Sequence, residues 1–139
     1  MLGKTYYIQS VRTVCPEQSR GRWMRRKRRN MAMNEKPKIL IADDSEINRA
    51  LLKEILGDGY DYLEAEDGAA AVELMRQRTD ISLLLLDLMM PGMDGFDVLR
   101  VMKYHAWLDE IPVIVISAAE DTANIERAYD LGVADYIRR

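Results

Sequence analysis

The chain has one cysteine, one histidine and no apolar run long enough to cross a bilayer. Each scarcity removes a class of protein. Cys15 cannot form an internal disulfide, and a lone cysteine is more usual in a reducing compartment, so the cytoplasm is the expected location. His105, in KYHAWL, has no partner at metal-ligand or triad spacing and reads as a surface or packing residue. The greasiest stretch, ISLLLL, is cut short by Asp87, well below the roughly 18 apolar residues that a membrane span requires. The opening MLGKTYYIQS lacks the apolar block of a secretory signal.

What is present suits one compact domain: 139 residues, 48% of them hydrophobic, are too few for two domains of ordinary size. The net charge of −3 hides an asymmetry. Residues 1–32 carry nine basic and one acidic residue, whereas residues 33–139 carry eleven basic and twenty-two acidic. Most of the positive charge lies in RGRWMRRKRR, residues 20–29. Residues 1–36 therefore read as a basic tail. A block of like charges repels itself, so a solvated, disordered arm is the first reading. An arm binding nucleic acid or anionic lipid is a second and less favoured one. A third, slightly preferred, starts translation at Met31 or Met33, just ahead of a first strand, and makes the tail a mis-assigned start.

From residue 37 onward, short β-rich runs alternate with helical segments, as expected of βα units. The runs are KILIA, YDYLEA, SLLLLD, PVIVIS and ADYIR. Between them Ile47, Leu51 and Ile55 recur at helical spacing up to Gly57, Ala70 to Met75 and Val98 to Met102 form two more helical stretches, and a fourth runs from Thr122 to Leu131 before Gly132. Near-continuous apolar runs in the third and fourth strands suit parallel strands covered on both faces. The pattern predicts an α/β fold with a doubly wound, five-stranded parallel sheet in the flavodoxin-like order 2-1-3-4-5. The chain stops directly after the fifth strand, so the final helix is expected to be missing and residues 37–139 to be truncated at the C-terminus. Val133, Ile137 and the apolar stripe of the first helix are the candidates for surface left bare, with poor stability or a homodimer as the consequence.

In such a sheet, ligands bind beyond the carboxyl ends of the strands. Here those ends carry Asp43 and Asp44, Asp87, Ser117, then Tyr136 and Arg139. Three carboxylates brought together repel one another unless a cation sits among them. Mg²⁺ suits such a site, because it prefers oxygen ligands and commonly bridges carboxylates to a phosphoryl group. One carboxylate would then be left as nucleophile, with the Ser117 hydroxyl and the Arg139 guanidinium to meet the phosphoryl oxygens. Singly, each feature has an ordinary alternative. Asp44 or Ser45 could be a helix cap, Asp87 a loop residue before turns at Pro91, Gly92 and Gly95, and Ser117 and Tyr136 plain strand-edge residues. Their joint placement is what the ordinary readings leave unexplained.

ILIADDSEINRALL, LLLLDLMMPGMDGFDVL, IPVIVISA and GVADYIRR together resemble the signature segments of response-regulator receiver domains of two-component signalling, of the CheY-like fold, across Lys38 to Arg139. The resemblance implies that Asp87 accepts a phosphoryl group from a histidine kinase or phosphotransfer protein in an Mg²⁺-dependent reaction. It also implies that Asp43, Asp44 and Asp87, with the backbone carbonyl of Met89, hold the metal, and that Ser117 and Tyr136 act as the switch pair. By the same resemblance, Ala118 would be the small residue that lets a donor approach. Such a chain assists only its own phosphotransfer and dephosphorylation, and is otherwise not an enzyme. Arg139 departs from the family, which typically has lysine followed by proline there. Arginine at this place resembles receivers attached to cyclic-dinucleotide enzymes, a hint about an output domain not in this chain. The alternative function is an interaction module that keeps the fold and binds partners without phosphorylation. An Mg²⁺-dependent phosphohydrolase would want D-x-D where adjacent aspartates stand, and ADDSE would repel the phosphate of a flavodoxin-type cofactor.

Overall fold

The computed structural model describes residues 3–14, 36–118 and 122–139. Five strands, β1 (Lys38–Ala42), β2 (Asp61–Ala65), β3 (Ile81–Leu86), β4 (Val113–Ser117) and β5 (Asp135–Arg138), form one parallel sheet in the order β2-β1-β3-β4-β5. The helices are α1 (Gly3–Val14), α2 (Glu46–Leu56), α3 (Gly68–Gln77), α4 (Gly95–Tyr104) and α5 (Thr122–Leu131), with a 3₁₀ turn at Trp107–Asp109. The doubly wound order and the five strands agree with the sequence reading, and β5 is the last element described.

The alternation of each strand sorts its side chains between two cores. Leu40, Leu84, Leu86, Val113, Val115 and Tyr136 face α3, α4 and α5. Ile39, Ile41, Leu83, Leu85, Ile114, Ile116 and Ile137 form the opposite core with Leu52 of α2. Every residue of β3 and β4 is buried, which is why these strands are near-continuous apolar runs, broken only by Ser82 and Ser117, instead of alternating ones. Side-chain caps start the helices where the sequence bends: Ser45 accepts from the Asn48 amide, Asp67 from Ala70, and Asp94 closes a reciprocal capping box with Asp97.

The surface expected to lie bare divides. The Ile47, Leu51, Ile55 stripe of α2, one of its candidates, is largely open: Ile47 is 79% exposed and Leu51 50%, whereas Leu52 is buried and Leu56 packs beside it. The helix carries two apolar stripes, and the sheet takes the Leu52–Leu56 one. Ile137, another candidate, is instead covered. Residues 3–14, inside the segment read as a disordered tail, form α1, and Val11, 1% exposed, enters the core that contains Ile137, with Tyr7 and Val14 packed against it. Val133 belongs to the other core. Tyr7, Val11 and Val14 recur at the four- and three-residue spacing of one helical face. The basic run at 20–29 lies outside the described residues.

Candidate functional site

At the carboxyl ends of the central strands, carboxylate oxygens of Asp43, Asp44 and Asp87 lie within 4.8 Å of one another. The backbone builds this convergence. The Asp43 amide donates to the Ala65 carbonyl (3.1 Å) and the Asp87 amide to the Ala42 carbonyl (2.9 Å), so the ladder continues one residue past β1 and β3 before the chain turns. Asp43 is 2% exposed and Asp87 5%, while Asp44 faces solvent. The Asp43 carboxylate accepts from the Ser45 amide at 2.9 Å, and the Asp87 carboxylate from the Met89 amide at 3.1 Å.

Arg139 closes the site from the other side. Its amide donates to the Ser117 carbonyl at 2.9 Å, extending the β4–β5 ladder, and its guanidinium bonds Asp43 and lies 3.6 Å from Asp87. Burial raises the Asp87 carboxyl pKa above the ordinary carboxylate value. The Met89 amide and Arg139 pull it down, and the Asp43 and Asp44 charges push it up again. A hard cation among the three carboxylates would relieve that repulsion, and an all-oxygen donor set with an exposed member fits an ion that keeps water. Ser117 is fully buried at the end of β4, and Tyr136 is buried within the α3–α5 core.

The structure therefore brings Asp43, Asp44, Asp87 and Arg139 together, places Ser117 beside Arg139 through the backbone, and turns the Tyr136 ring inward. The Met89 side chain is exposed. His105 is at the surface, with its ring between those of Tyr104 and Trp107 at 5.1 and 4.6 Å.

Two supporting residues escaped the sequence reading. Arg49 donates to the Asp43 carbonyl at 2.6 Å and is itself held by Glu64 at 3.0 Å. The Arg49 and Lys53 partners of Glu64 hold that carboxyl below its usual range, with the Lys53 hydrogen bond the largest cause. Only the packing of α2 on β2 brings Arg49 there, and no local pattern signals it. Gly95 is the other. It opens α4 directly over the loop after β3, and a Cβ on it would stand 2.6 Å from the Asp87 carbonyl oxygen and 2.7 Å from the Leu88 Cα. The turn glycines of MMPGMDG marked this loop, but its close approach appears only in three dimensions.

Comparison with known proteins bears on this arrangement. The sequence model of the response regulator receiver domain matches residues 39–139. The two-component response regulator ORR5 of Oryza sativa subsp. japonica is 32% identical over 102 residues, which cover 73% of this chain and 76% of that protein. A probable cyclic di-GMP phosphodiesterase of Vibrio cholerae is 34% identical over 99 residues, 71% of this chain but only 22% of that protein. Among solved structures, the response regulator protein TrrA from Thermotoga maritima in complex with Mg(2+)-BeF superposes with a TM-score of 0.64 at 26% identity, covering 74% of this chain and 86% of that one.

Proposed function

This chain belongs to the response-regulator receiver domains of two-component systems, and from that premise we propose that it is phosphorylated on Asp87 by a histidine kinase or phosphotransfer protein and switches partner interactions in response. The observation that carries the reading is the convergence of three carboxylates, one of them at the end of the buried central strand, with a guanidinium on two of them. Asp87 is the nucleophile. One of its carboxylate oxygens attacks phosphorus as the bond from phosphorus to the donor's bridging atom breaks, and that bond's electron pair leaves with the donor.

Asp43, Asp44, Asp87 and the Met89 carbonyl would hold Mg²⁺, which supplies charge neutralisation to donor and acceptor when bound. Arg49 fixes the Asp43 backbone from behind. Arg139, 3.6 Å from Asp87, would meet the phosphoryl oxygens, and Ser117 would add a hydroxyl from the next strand. Tyr136, already inward, reports the position of Ser117 to the surface around α5 and β5. Phosphotransfer and dephosphorylation at Asp87 are the only chemistry assigned to the chain, and we place it in the cytoplasm.

The second reading, an interaction module that is never phosphorylated, is favoured by one observation: Arg139 already bonds Asp43, where a cation would otherwise bind. Incubation with Mg²⁺ and acetyl phosphate followed by intact-mass measurement separates the two. The proposal expects one added phosphoryl group, lost in Asp87→Asn. Labelling that persists in Asp87→Asn moves the acceptor elsewhere, and an unlabelled, folded wild type favours the interaction module.

A further inference from the structure

We infer that α1 is a positioning element for the acidic site: by clamping the edge strand β5 onto the sheet, it sets Arg139 against Asp43 and Asp87. β5 is four residues long, lies at the sheet edge and, among the described residues, pairs only with β4. Such a strand is the one most prone to open locally, because half its backbone groups have no neighbouring strand and few side chains hold it. Here α1 supplies what the ladder does not.

The Ser10 hydroxyl donates to the Asp135 carboxylate, and Asp135 in turn accepts from the Tyr136 amide at 2.8 Å. Two positions on, Ile137 shares its core with Val11. Two further, Arg139 reaches the acidic cluster. The alternation of the strand thus places the clamp and the functional cation on one short rigid segment, with the clamp at one end and Arg139 at the other. A groove between the two elements, lined by Gln9, Ser10, Thr13, Val14, Ala134 and Asp135, marks where they meet.

The strength of the clamp and the position of Arg139 are therefore coupled. If α1 lifts, Ile137 loses its cover, and the backbone bond from Arg139 to Ser117, just past the last residue of a short edge strand, loosens with it. A purely structural α1 would instead stabilise all strands of the sheet alike.

Amide hydrogen exchange in the full chain, without metal, tests this. Val11→Ala should speed exchange of the Arg139 and Ala134 amides, bonded to Ser117 and Val113 on β4, by about tenfold or more. The Asp43 amide, bonded to Ala65 of β2 at the far edge, and the Asp87 amide, bonded to Ala42 of β1, should change by less than about twofold. Ser10→Ala, which leaves the apolar packing alone, should act on the same two amides more weakly, and Ser10→Thr should restore them. Equal acceleration of all four amides, or none, overturns the clamp.

Delivery of Arg139 to the acidic site rests on the metal reading above and has its own measurement. Arg139→Ala should tighten Mg²⁺ binding, since the guanidinium competes for Asp43, and Val11→Ala should tighten it in the same direction. The double variant should bind no more tightly than Arg139→Ala alone. Fully additive effects, or an unchanged affinity in Val11→Ala, overturn the coupling. A wild-type chain that binds no Mg²⁺ would refute the metal reading, while the exchange data would still decide the clamp.

Discussion

Replacing Gly95 by alanine should destabilise the domain and disturb the acidic site at the same time, although alanine is the better helix former. The added Cβ would lie 2.6 Å from the Asp87 carbonyl oxygen, 2.7 Å from the Leu88 Cα and 3.0 Å from a Leu88 side-chain carbon. The two nearest atoms are backbone, so no rotamer change relieves them; α4 and the loop after β3 must part. Overpacking of this kind costs about 1–3 kcal/mol. Alanine recovers at most about 1 kcal/mol of helix propensity, and less at the first helical residue than in mid-helix. A net loss of about 1–2 kcal/mol is expected, which at a urea slope of about 2 kcal/mol/M lowers the midpoint by roughly 0.5–1 M. Gly59→Ala is the control, because its Cβ meets nothing within 4 Å and its φ is not positive. Since relief of the clash displaces the Asp87 backbone, Mg²⁺ affinity should fall in Gly95→Ala and not in Gly59→Ala. A Gly95→Ala midpoint equal to or above that of Gly59→Ala would refute the close approach of α4 to the acceptor loop.

Asp44→Ala should weaken Mg²⁺ binding more than Asp43→Ala in calorimetric titration, because the Asp43 carboxylate is already engaged by Ser45 and Arg139 whereas that of Asp44 faces solvent; the reverse order would reject this assignment. Asp87→Asn should melt above the wild type at pH 7. Burial raises the Asp87 pKa in the fold, so the group's favourable contribution is complete only below its unfolded value and is lost as pH rises through the folded one; the gain should shrink in melts at acid pH, and a lower melting temperature for the variant at pH 7 would contradict it. Residues 33–139 alone, lacking α1, should melt lower or self-associate in sedimentation, since burial of a valine such as Val11 is worth about 1.5–3 kcal/mol by itself. A monomer with a wild-type melt would show that α1 contributes nothing to stability.

The sheet and the acidic residues were legible from the sequence for different reasons. Strands covered on both faces are apolar on both, and ISLLLL and VIVIS, each with a single serine, announce that without help from periodicity. The acidic residues were legible because the fold class itself says where strand ends converge. Periodicity located α2 but not its buried face, because EINRALLKEIL carries two apolar stripes and only the docked sheet decides between them. It was also passed over on α1, where Tyr7, Val11 and Val14 were present but the basic composition of the first 32 residues outweighed three apolar positions. Arg49 and Gly95 act through contacts that no local pattern encodes.

The hydrogen bond between Ser10 and Asp135 joins residues 125 positions apart, nearly the whole chain. During synthesis α1 is made before β5, so its docking site is incomplete until β5 has followed. A helix of twelve residues is marginal in water by itself, so until then α1 has little to hold its shape. The loop it must close is also the longest the chain offers, and contacts of that separation form slowly. Docking of α1 should therefore be a late folding event, after the central parallel strands have assembled. Its apolar residues spend that interval exposed, and a helix that precedes the whole sheet in sequence docks only after the sheet has formed.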